Sequence, residues 1–330
     1  MKQTEAFHNN SIKSLALDGN GDLLAGTDNG LYVYHNDVTP LQHIIHDSRN
    51  IQSLTNNIIW NIFADQEHNI WLGTDYGISL SRYNSALQFI PISQITGTGD
   101  GNQFYSLFRD SKGFYWFGGT NGLIRFTDPA GDKHNAIWYR MGDKTYPLSH
   151  NRIRHIYEDK EQQLWIATDG SINRYDYATR QFVHYNIVDS TGTYNTNWTY
   201  YMFEDNAGHL WISTCLGGIF VVDKHRLMQS ASGQYVAEQN YSVHNGLSGM
   251  FINQIIPDNE GNVWVLLYNN KGIDKINPRT REVTKLFADE LNGEKSPNYL
   301  LCDEDGMLWV GFHGGVMRLS LIHISEPTRQ

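Results

Sequence analysis

Seven positions in this sequence carry side chains of the kinds that bind small polar ligands. They are large, mostly polar-tipped and different from one another: Lys13, Trp60, Tyr105, Arg154, Tyr200, Asn253 and Asn298. Later loop residues add amide, carboxylate and phenol groups: Asp28, Asp75, Tyr76, Asn121, Asp169, Tyr268 and Asn269. The apolar face of a sugar stacks on aromatic rings, and its hydroxyls need fixed polar partners. These residue types predict an oligosaccharide site, unless the side chains only fill a channel and hydrogen-bond one another.

Each of the seven positions lies five residues before an aspartate that anchors a repeated segment. The anchors are Asp18, Asp65, Asp110, Asp159, Asp205, Asp258 and Asp303. Six residues after the anchor the first copy has Leu24, and the other six have a tryptophan: Trp71, Trp116, Trp165, Trp211, Trp264 and Trp309. The anchors recur roughly every fifty residues, a period typical of propeller blades. The chain is therefore a repeat protein.

Each repeat has the sequence pattern of short strands joined by tight turns. Runs such as "IIWNIF" before the anchor and "IWLGT" after it are rich in β-branched and aromatic residues, which favour strands. The turn between them, for example "DQEHN", uses Asp and Asn for local hydrogen bonds, with Gly supplying positive φ in other copies. A Gly opens a third strand and a fourth often follows. We therefore predict an all-β protein, a β-propeller of seven four-stranded antiparallel blades.

The conserved features of the repeat have structural interpretations. The tryptophan should fill the gap between neighbouring blades, which needs a large apolar side chain. The anchor should act as a turn residue. Three residues before the anchor every copy has a core residue: Leu15, Ile62, Leu107, Ile156, Met202, Ile255 and Leu300. The candidate position lies two residues before the core position on the same strand, so both side chains should point to the same side of the strand. This places the candidates around the mouth of the central channel.

Composition excludes several classes of function. The net charge is −10, and no run of Lys and Arg offers the basic surface that nucleic acid requires. The apolar runs are far shorter than a membrane span, and the first residues lack a secretory signal. The two cysteines, Cys215 and Cys302, are expected to be small buried side chains. No catalytic nucleophile motif, nucleotide loop or metal-ligand spacing occurs, so no cofactor or metal is expected.

The last residues differ from the repeat. The string "LSLIHISEPTR", Leu319 to Arg329, looks like a translated sequencing adapter. We therefore assign residues 1–318 to the repeats and 319–330 to a non-native tail, and expect this chain to be a fragment of a longer native protein. The tail is expected to pack on nothing.

Three segments, "DQEHNIWLGTDYGI", "DSKGFYWFGGTNGLIRF" and "DNAGHLWISTCLGGI", resemble the two-component regulator propeller repeat. The resemblance extends from Ser11 to Arg318, although the sixth copy has "VLLYNNKGI" in place of Gly-Thr. It implies the periplasmic sensor region of Bacteroides-type hybrid histidine kinases, which detect glycan fragments and, by phosphorelay, activate polysaccharide-utilisation genes. An immunoglobulin-like domain and a kinase of the same receptor, and a homodimer of the full-length protein, are then the expected partners.

Two questions stay open at the level of sequence. The seven copies could form one ring, or parts of two consecutive rings with a boundary near residues 95–102. The function could also be that of a glycan hydrolase or lyase, or of a protein-interaction scaffold. Glycoside hydrolysis needs paired carboxylates, and none occupies the seven candidate positions. A non-enzymatic sensor is therefore the leading hypothesis, and a scaffold would show a flat face without an aromatic pocket.

Overall fold

The structure is a computed structural model that describes residues 2–3, 10–35, 40–83, 87–90, 102–127, 136–145, 147–230, 234–268, 272–291 and 295–320. Its strands form seven antiparallel sheets, one for each repeat. Blade 1 contains Ile12–Leu17, Leu23–Thr27, Gly30–Tyr34 and Pro40–Ile44. Blade 2 contains Ile59–Ala64, Ile70–Thr74, Gly77–Ser81 and Leu87–Ile90. Blade 3 contains Phe104–Arg109, Tyr115–Gly119, Gly122–Phe126 and Ile137–Tyr139.

Blades 4 to 6 follow the same plan with one insertion. Blade 4 contains Ile153–Glu158, Leu164–Thr168, Ser171–Asp176 and Gln181–Val188, with Gln234–Val236 added in parallel at its edge. Blade 5 contains Thr199–Glu204, His209–Thr214, Ile219–Asp223 and Gln239–Tyr241. A short α-helix, Lys224–Gln229, is inserted before its last strand, and a 3-10 helix, Val243–Asn245, follows that strand. Blade 6 contains Ile252–Pro257, Val263–Leu267, Ile273–Asn277 and Glu282–Leu286.

The ends of the chain meet in blade 7 and close a single ring. This blade contains Pro297–Cys302, Met307–Phe312 and Gly315–Ser320, and its fourth strand is the N-terminal Lys2–Gln3. Lys2 pairs with Arg318 in that sheet. The N–H of Gly314 also donates to the carbonyl of Asn10 at 2.8 Å. The predicted seven-bladed propeller is therefore confirmed, and its blades form one ring in this structure. The predicted ring boundary near residues 95–102 falls mostly outside the described residues and stays a prediction.

The tryptophans pack between blades, as the sequence predicted. Trp165 of blade 4 is 0% exposed and lies in one apolar cluster with Met202, Ile212 and Phe220 of blade 5. Corresponding clusters join every neighbouring pair of blades, including blades 7 and 1. Five of the six tryptophans are buried, while Trp309 is only partly buried against blade 1. The core position three residues before the anchor is buried in all seven blades.

The anchor aspartate does more than shape its turn. In blade 4, one carboxylate oxygen of Asp159 accepts the N–H groups of Glu161 and Gln163, at 3.0 and 2.8 Å. The other oxygen accepts the indole N–H of Trp165 at 2.8 Å. All six Asp–Trp pairs make this bond. The bond explains the constant six-residue step, because the turn and the inter-blade side chain are tied through one carboxylate.

The boundary of the proposed tail needs a correction. Leu319 is 6% exposed, pairs with Leu308 and belongs to the cluster between blades 6 and 7. The expectation that packing ends at Arg318 is therefore wrong at Leu319, since the last strand continues to Ser320. Residues 321–330 lie outside the described residues, and the adapter origin of the tail stays a prediction.

Candidate functional site

Every blade has a β-bulge at the candidate position. In blade 2, Ile59 pairs with Thr74 and Asn61 pairs with Gly73, so Trp60 between them is unpaired. The same register shift falls at the corresponding residue of all seven inner strands. Two residues of a bulge oppose one on the partner strand, which re-aims their side chains. The predicted shared side of the candidate and core positions was wrong, because strict alternation along the strand stops at the bulge.

The bulges bring the candidate side chains together around one cavity of about 360 Å³. All seven bulge residues line it, and we call them the mouth residues: Lys13, Trp60, Tyr105, Arg154, Tyr200, Asn253 and Asn298. The residue after the bulge lines it too in five blades: Asn61, His155, Tyr201, Gln254 and Tyr299. Ser11, Ile12 and Tyr268 complete the lining. The predicted clustering is therefore present in the structure, while ligand binding stays a prediction.

Aromatic rings and one guanidinium form a continuous arc along one side of the mouth. Trp60 and Tyr105 meet edge to face, with ring centroids 5.4 Å apart. The guanidinium carbon of Arg154 lies 5.9 Å from the ring centroid of Tyr105 and 4.4 Å from that of Tyr200. Tyr200 then meets Phe251 edge to face at 5.3 Å. Such contacts hold ring faces in fixed positions, as a stacking site for sugars requires.

Two rim carboxylates hold this arc in place. Asp169 accepts two hydrogen bonds from the guanidinium of Arg154, at 2.8 and 3.3 Å. Asp75 accepts the indole N–H of Trp60 at 2.9 Å and the amide of Gln103 at 2.6 Å. Asp75 is thus a positioning residue beside the cavity. Tyr76, predicted as a contact residue, is 58% exposed and does not line the cavity. Asn269 lies outside the described residues.

The opposite side of the mouth is polar. The amide of Asn298 donates to the hydroxyl of Ser11 at 3.0 Å. The ammonium of Lys13 lies 5.1 Å from the ring centroid of Trp60. Among the described residues, no side chain or backbone group hydrogen-bonds the side chains of Lys13 or Asn253. Their donors face the cavity and are available to the hydroxyls of a ligand.

The residues just after the bulge tie neighbouring blades together below the mouth. In four blades this residue accepts the N–H of the core residue in the next blade. The donors and acceptors are Leu107 to Asn61 at 3.1 Å, Ile156 to Ser106 at 3.0 Å, Met202 to His155 at 3.3 Å and Leu300 to Gln254 at 2.8 Å. We call the residues just after the bulge the inner tier, and they were not predicted from the sequence. The available signal was a polar residue at one fixed place in an otherwise apolar strand.

His155 of the inner tier is held neutral. Its ring stacks on Tyr201 with centroids 3.7 Å apart, and Nδ1 accepts the N–H of Met202. Burial lowers the pKa of His155 to about 3, because the charged imidazolium would lose its hydration. Burial also raises the pKa of Tyr105 and of Tyr200, so both phenols stay protonated at neutral pH. The aromatic side of the cavity therefore presents neutral rings.

The pKa of His155 gives a prediction for stability against pH. Between about pH 3 and 6.5 the unfolded chain binds a proton at His155 that the folded chain does not, so stability rises with pH over that window. The full contribution of one proton is about 1.4 kcal/mol per pH unit. His155→Gln, which keeps the acceptor as Gln254 does in blade 6, should lower this slope in urea unfolding. The same change at exposed His184 is the control, and equal slopes for the parent and His155→Gln would contradict the prediction.

The described residues contain no group of three or more His, Cys, Asp or Glu side chains placed to hold a metal ion. Cys215 is buried and Cys302 partly buried, and neither is in a disulfide. No helix in this part of the chain is long and apolar enough to cross a membrane. The mouth of the channel therefore remains the candidate site.

Comparison with known proteins gives matches to sensor proteins. The family described as "Two component regulator propeller" matches residues 53–76, 98–121 and 147–170. The extracellular domain of the hybrid two-component system BT4673 of B. thetaiotaomicron is 93% identical over 98% of this chain, with a TM-score of 0.71. That of BT3049 from the same organism is 21% identical over 98% of this chain, with a TM-score of 0.77. Histidine kinase P4 of Formosa agariphila is 26% identical over 205 residues, or 57% of this chain.

This chain spans only part of each of these proteins. It covers 43% of the BT4673 chain and 41% of the BT3049 chain. It covers 13% of histidine kinase P4.

Proposed function

We propose that this chain, with its two-component regulator propeller repeats, belongs to the extracytoplasmic sensor of a hybrid histidine kinase. We propose further that it binds an oligosaccharide in the channel mouth. Binding there would be signalled to genes for polysaccharide use, and the periplasm is the proposed location. The observation that carries the proposal is the convergence of all seven mouth residues on one cavity. The family match and the similarity to extracellular sensor domains support the receptor context.

The geometry of the cavity suits a sugar better than an apolar or a strongly charged ligand. Its aromatic arc supplies ring faces for the apolar side of a pyranose, and its polar side supplies amide, hydroxyl and ammonium donors. The one guanidinium in the arc is already paired with Asp169. A cavity of about 360 Å³ lies within the usual range for small-molecule sites. We propose that a short glycan fragment fills it.

A catalytic role has less support than binding. None of the described residues that line the cavity carries a carboxylate, whereas glycoside hydrolysis uses a facing pair of them. The imidazole of His155 is neutral, stacked and already accepts a backbone N–H. A protein-interaction scaffold would need no cavity between these rings. Sensing by this chain, with catalysis in the kinase of the parent protein, is the function that the site supports best.

Alanine substitutions of the aromatic arc test the proposal. Trp60→Ala and Tyr200→Ala should each weaken binding by about 1–3 kcal/mol, the size of burying one such side chain. The fold should survive, because both rings line the cavity and neither belongs to an inter-blade cluster. The measurement is calorimetry of the complete extracytoplasmic sensor with cello-, xylo-, manno-, galacto- and chondroitin oligosaccharides. Tyr83→Ala is the control, because this exposed ring follows the strand Gly77–Ser81 and its N–H donates to Asn69 in the turn after the blade 2 anchor.

The outcome separates binding in the mouth from binding elsewhere. Unchanged affinity in both variants, for an oligosaccharide that binds the parent, would place the site in another part of the receptor. Weaker binding in both, with the parent affinity kept in Tyr83→Ala, would support the mouth.

A further inference from the structure

The rim of the cavity can be compared blade by blade, because one backbone bond recurs there. In five blades the N–H of the residue ten positions after the anchor donates to the carbonyl of the residue seven before it. The pairs are Asp75 to Ile58, Thr120 to Gln103, Asp169 to Arg152, Cys215 to Trp198 and Tyr268 to Phe251, at 3.0 to 3.3 Å. We call these the rim pairs. They place equivalent side chains at the edge of the mouth.

The rim pairs change character around the ring. In blades 2 to 4 they include carboxylates, an amide and a guanidinium. In blades 5 and 6 they carry aromatic side chains, Trp198 in one and Phe251 with Tyr268 in the other. Trp198 is 51% exposed and Tyr268 is 56% exposed. Leu216, next to Cys215, is 69% exposed. The rim pairs of blades 5 and 6 therefore expose aromatic side chains, which those of blades 2 to 4 lack.

The aromatic sector is continuous with the cavity. Tyr200 and Tyr268 both line the cavity, and the ring of Phe251 bridges them. Its centroid lies 5.3 Å from that of Tyr200 and 4.8 Å from that of Tyr268, on which it stacks. Trp198 comes just before the strand that carries Tyr200. A ligand that stacks on Tyr200 can therefore continue out of the cavity over further ring surface in blades 5 and 6.

The backbone of Trp198 is held in an unfavourable conformation. Its φ is 55°, in the left-handed region that bulky residues rarely adopt. Two hydrogen bonds fix it: its N–H donates to the carbonyl of Asp169 at 2.9 Å, and its carbonyl accepts from Cys215 at 3.0 Å. The side chain of Asp169 in turn binds Arg154 of the mouth. Strain of this kind at an exposed ring is a cost to stability that a binding role would explain.

We infer that the sector formed by Trp198, Phe251 and Tyr268 is an outer subsite, where a sugar unit of an oligosaccharide leaving the cavity stacks on the ring of Trp198. The inference rests on the proposed function and adds to it a direction and a minimum length for the ligand. The ligand class is therefore an oligosaccharide longer than the cavity holds, with its exposed end over blades 5 and 6.

The test is affinity against chain length. Oligosaccharides of two to six units, from whichever of the cello-, xylo-, manno-, galacto- and chondroitin series binds, are titrated into the complete sensor. Trp198→Ala should weaken the longest members about tenfold, which is about 1.4 kcal/mol, and leave the shortest within about twofold. Trp198→Asn should weaken binding of the longest members to the same extent. Because asparagine tolerates the left-handed region, the Tm of this variant should equal or exceed that of the parent. Tyr83→Ala, an equally exposed ring away from the mouth, is the control.

Failure of the subsite and failure of the proposed function give different results. If Tyr200→Ala weakens every length while both Trp198 variants match the parent throughout, the outer subsite is wrong and the mouth stands. If Tyr200→Ala has no effect on any length, the proposed function fails as well. If the Trp198 variants change the sedimentation of the ligand-free sensor but not its affinities, the sector docks a protein surface, which also overturns the subsite.

Discussion

Replacing Trp165 with alanine is expected to lower the free energy of unfolding by about 3–5 kcal/mol, the usual cost of emptying a large buried site. The ring is 0% exposed and fills the space between blades 4 and 5. Its removal also leaves the oxygen of Asp159 without the indole N–H that it accepts at 2.8 Å. Urea unfolding of the chain at neutral pH measures the loss, and a value below about 1 kcal/mol would contradict inter-blade packing as its role.

The repeat supplies its own control for this substitution. Blade 1 has Leu24 where the other blades have tryptophan, and Leu24 is 3% exposed in the cluster between blades 1 and 2. Trp165→Leu should therefore be less destabilising than Trp165→Ala, because part of the apolar volume is kept. Trp198→Ala removes a half-exposed ring and should change stability little. The loss of unfolding free energy should therefore be largest for Trp165→Ala, smaller for Trp165→Leu and smallest for Trp198→Ala. Any other order would show that local packing does not set the loss.

Replacing Lys224 with methionine is the second large effect that we expect. This lysine is fully buried between blades 4 and 5, and its ammonium contacts Glu204 at 2.8 Å, Glu161 at 3.1 Å and Asp159 at 3.2 Å. Burial disfavours its charge, but hydrogen bonds to Glu204 and Glu161 and the charge of Asp159 outweigh that effect and raise the pKa of Lys224. Breaking such a cluster leaves buried carboxylates without a counter-charge and costs about 3–5 kcal/mol.

Urea unfolding at pH 7 again provides the measurement. Because the pKa of Lys224 is raised on folding, its stabilising effect is fully present below the pKa of an unfolded lysine and is lost only at more alkaline pH. Arg49→Met is the control, since Arg49 pairs with Asp47 on the surface with its side chain 90% exposed. Combining Lys224→Met with Glu204→Gln should recover part of the loss. A Lys224→Met variant as stable as the Arg49→Met control would contradict the account.

The two effects should not add. Trp165 and Lys224 contact the same carboxylate oxygen of Asp159, at 2.8 and 3.2 Å. Residues that share a partner show coupling of about 0.5–3 kcal/mol in double-mutant cycles. The double variant should therefore depart from the sum of the single losses.

The sequence was sufficient to predict the seven blades and the packing between them. The constant six-residue step from Asp to Trp, repeated in six copies, identified the blades and the inter-blade position of Trp165. The variable position five residues before the anchor identified the mouth residues, all of which line one cavity. Repeats make such predictions reliable, because a structural role keeps one residue type across copies and a site does not.

The remainder depended on geometry that single residues do not encode. The bulge at Trp60 leaves no sequence signature of its own, so strict alternation misplaced the candidate and core positions on one side. The partnership of Asp159 with Lys224 joins residues of two blades through the helix inserted in blade 5. Closure of the ring by Lys2–Gln3 likewise joins opposite ends of the chain. Pairings between residues so far apart in the sequence have no local sequence pattern from which they could be predicted.

The most direct test of the central claim is a crystal structure of the complete extracytoplasmic sensor with the oligosaccharide that binds it most tightly in calorimetry. The account predicts sugar density in the cavity, with one ring stacked on Tyr200 or Trp60 and its hydroxyls within hydrogen-bonding distance of Asn253 or Lys13. Density that continues over Trp198 would extend the site as inferred. An empty mouth, with the oligosaccharide bound elsewhere in the same crystal, would contradict the central claim.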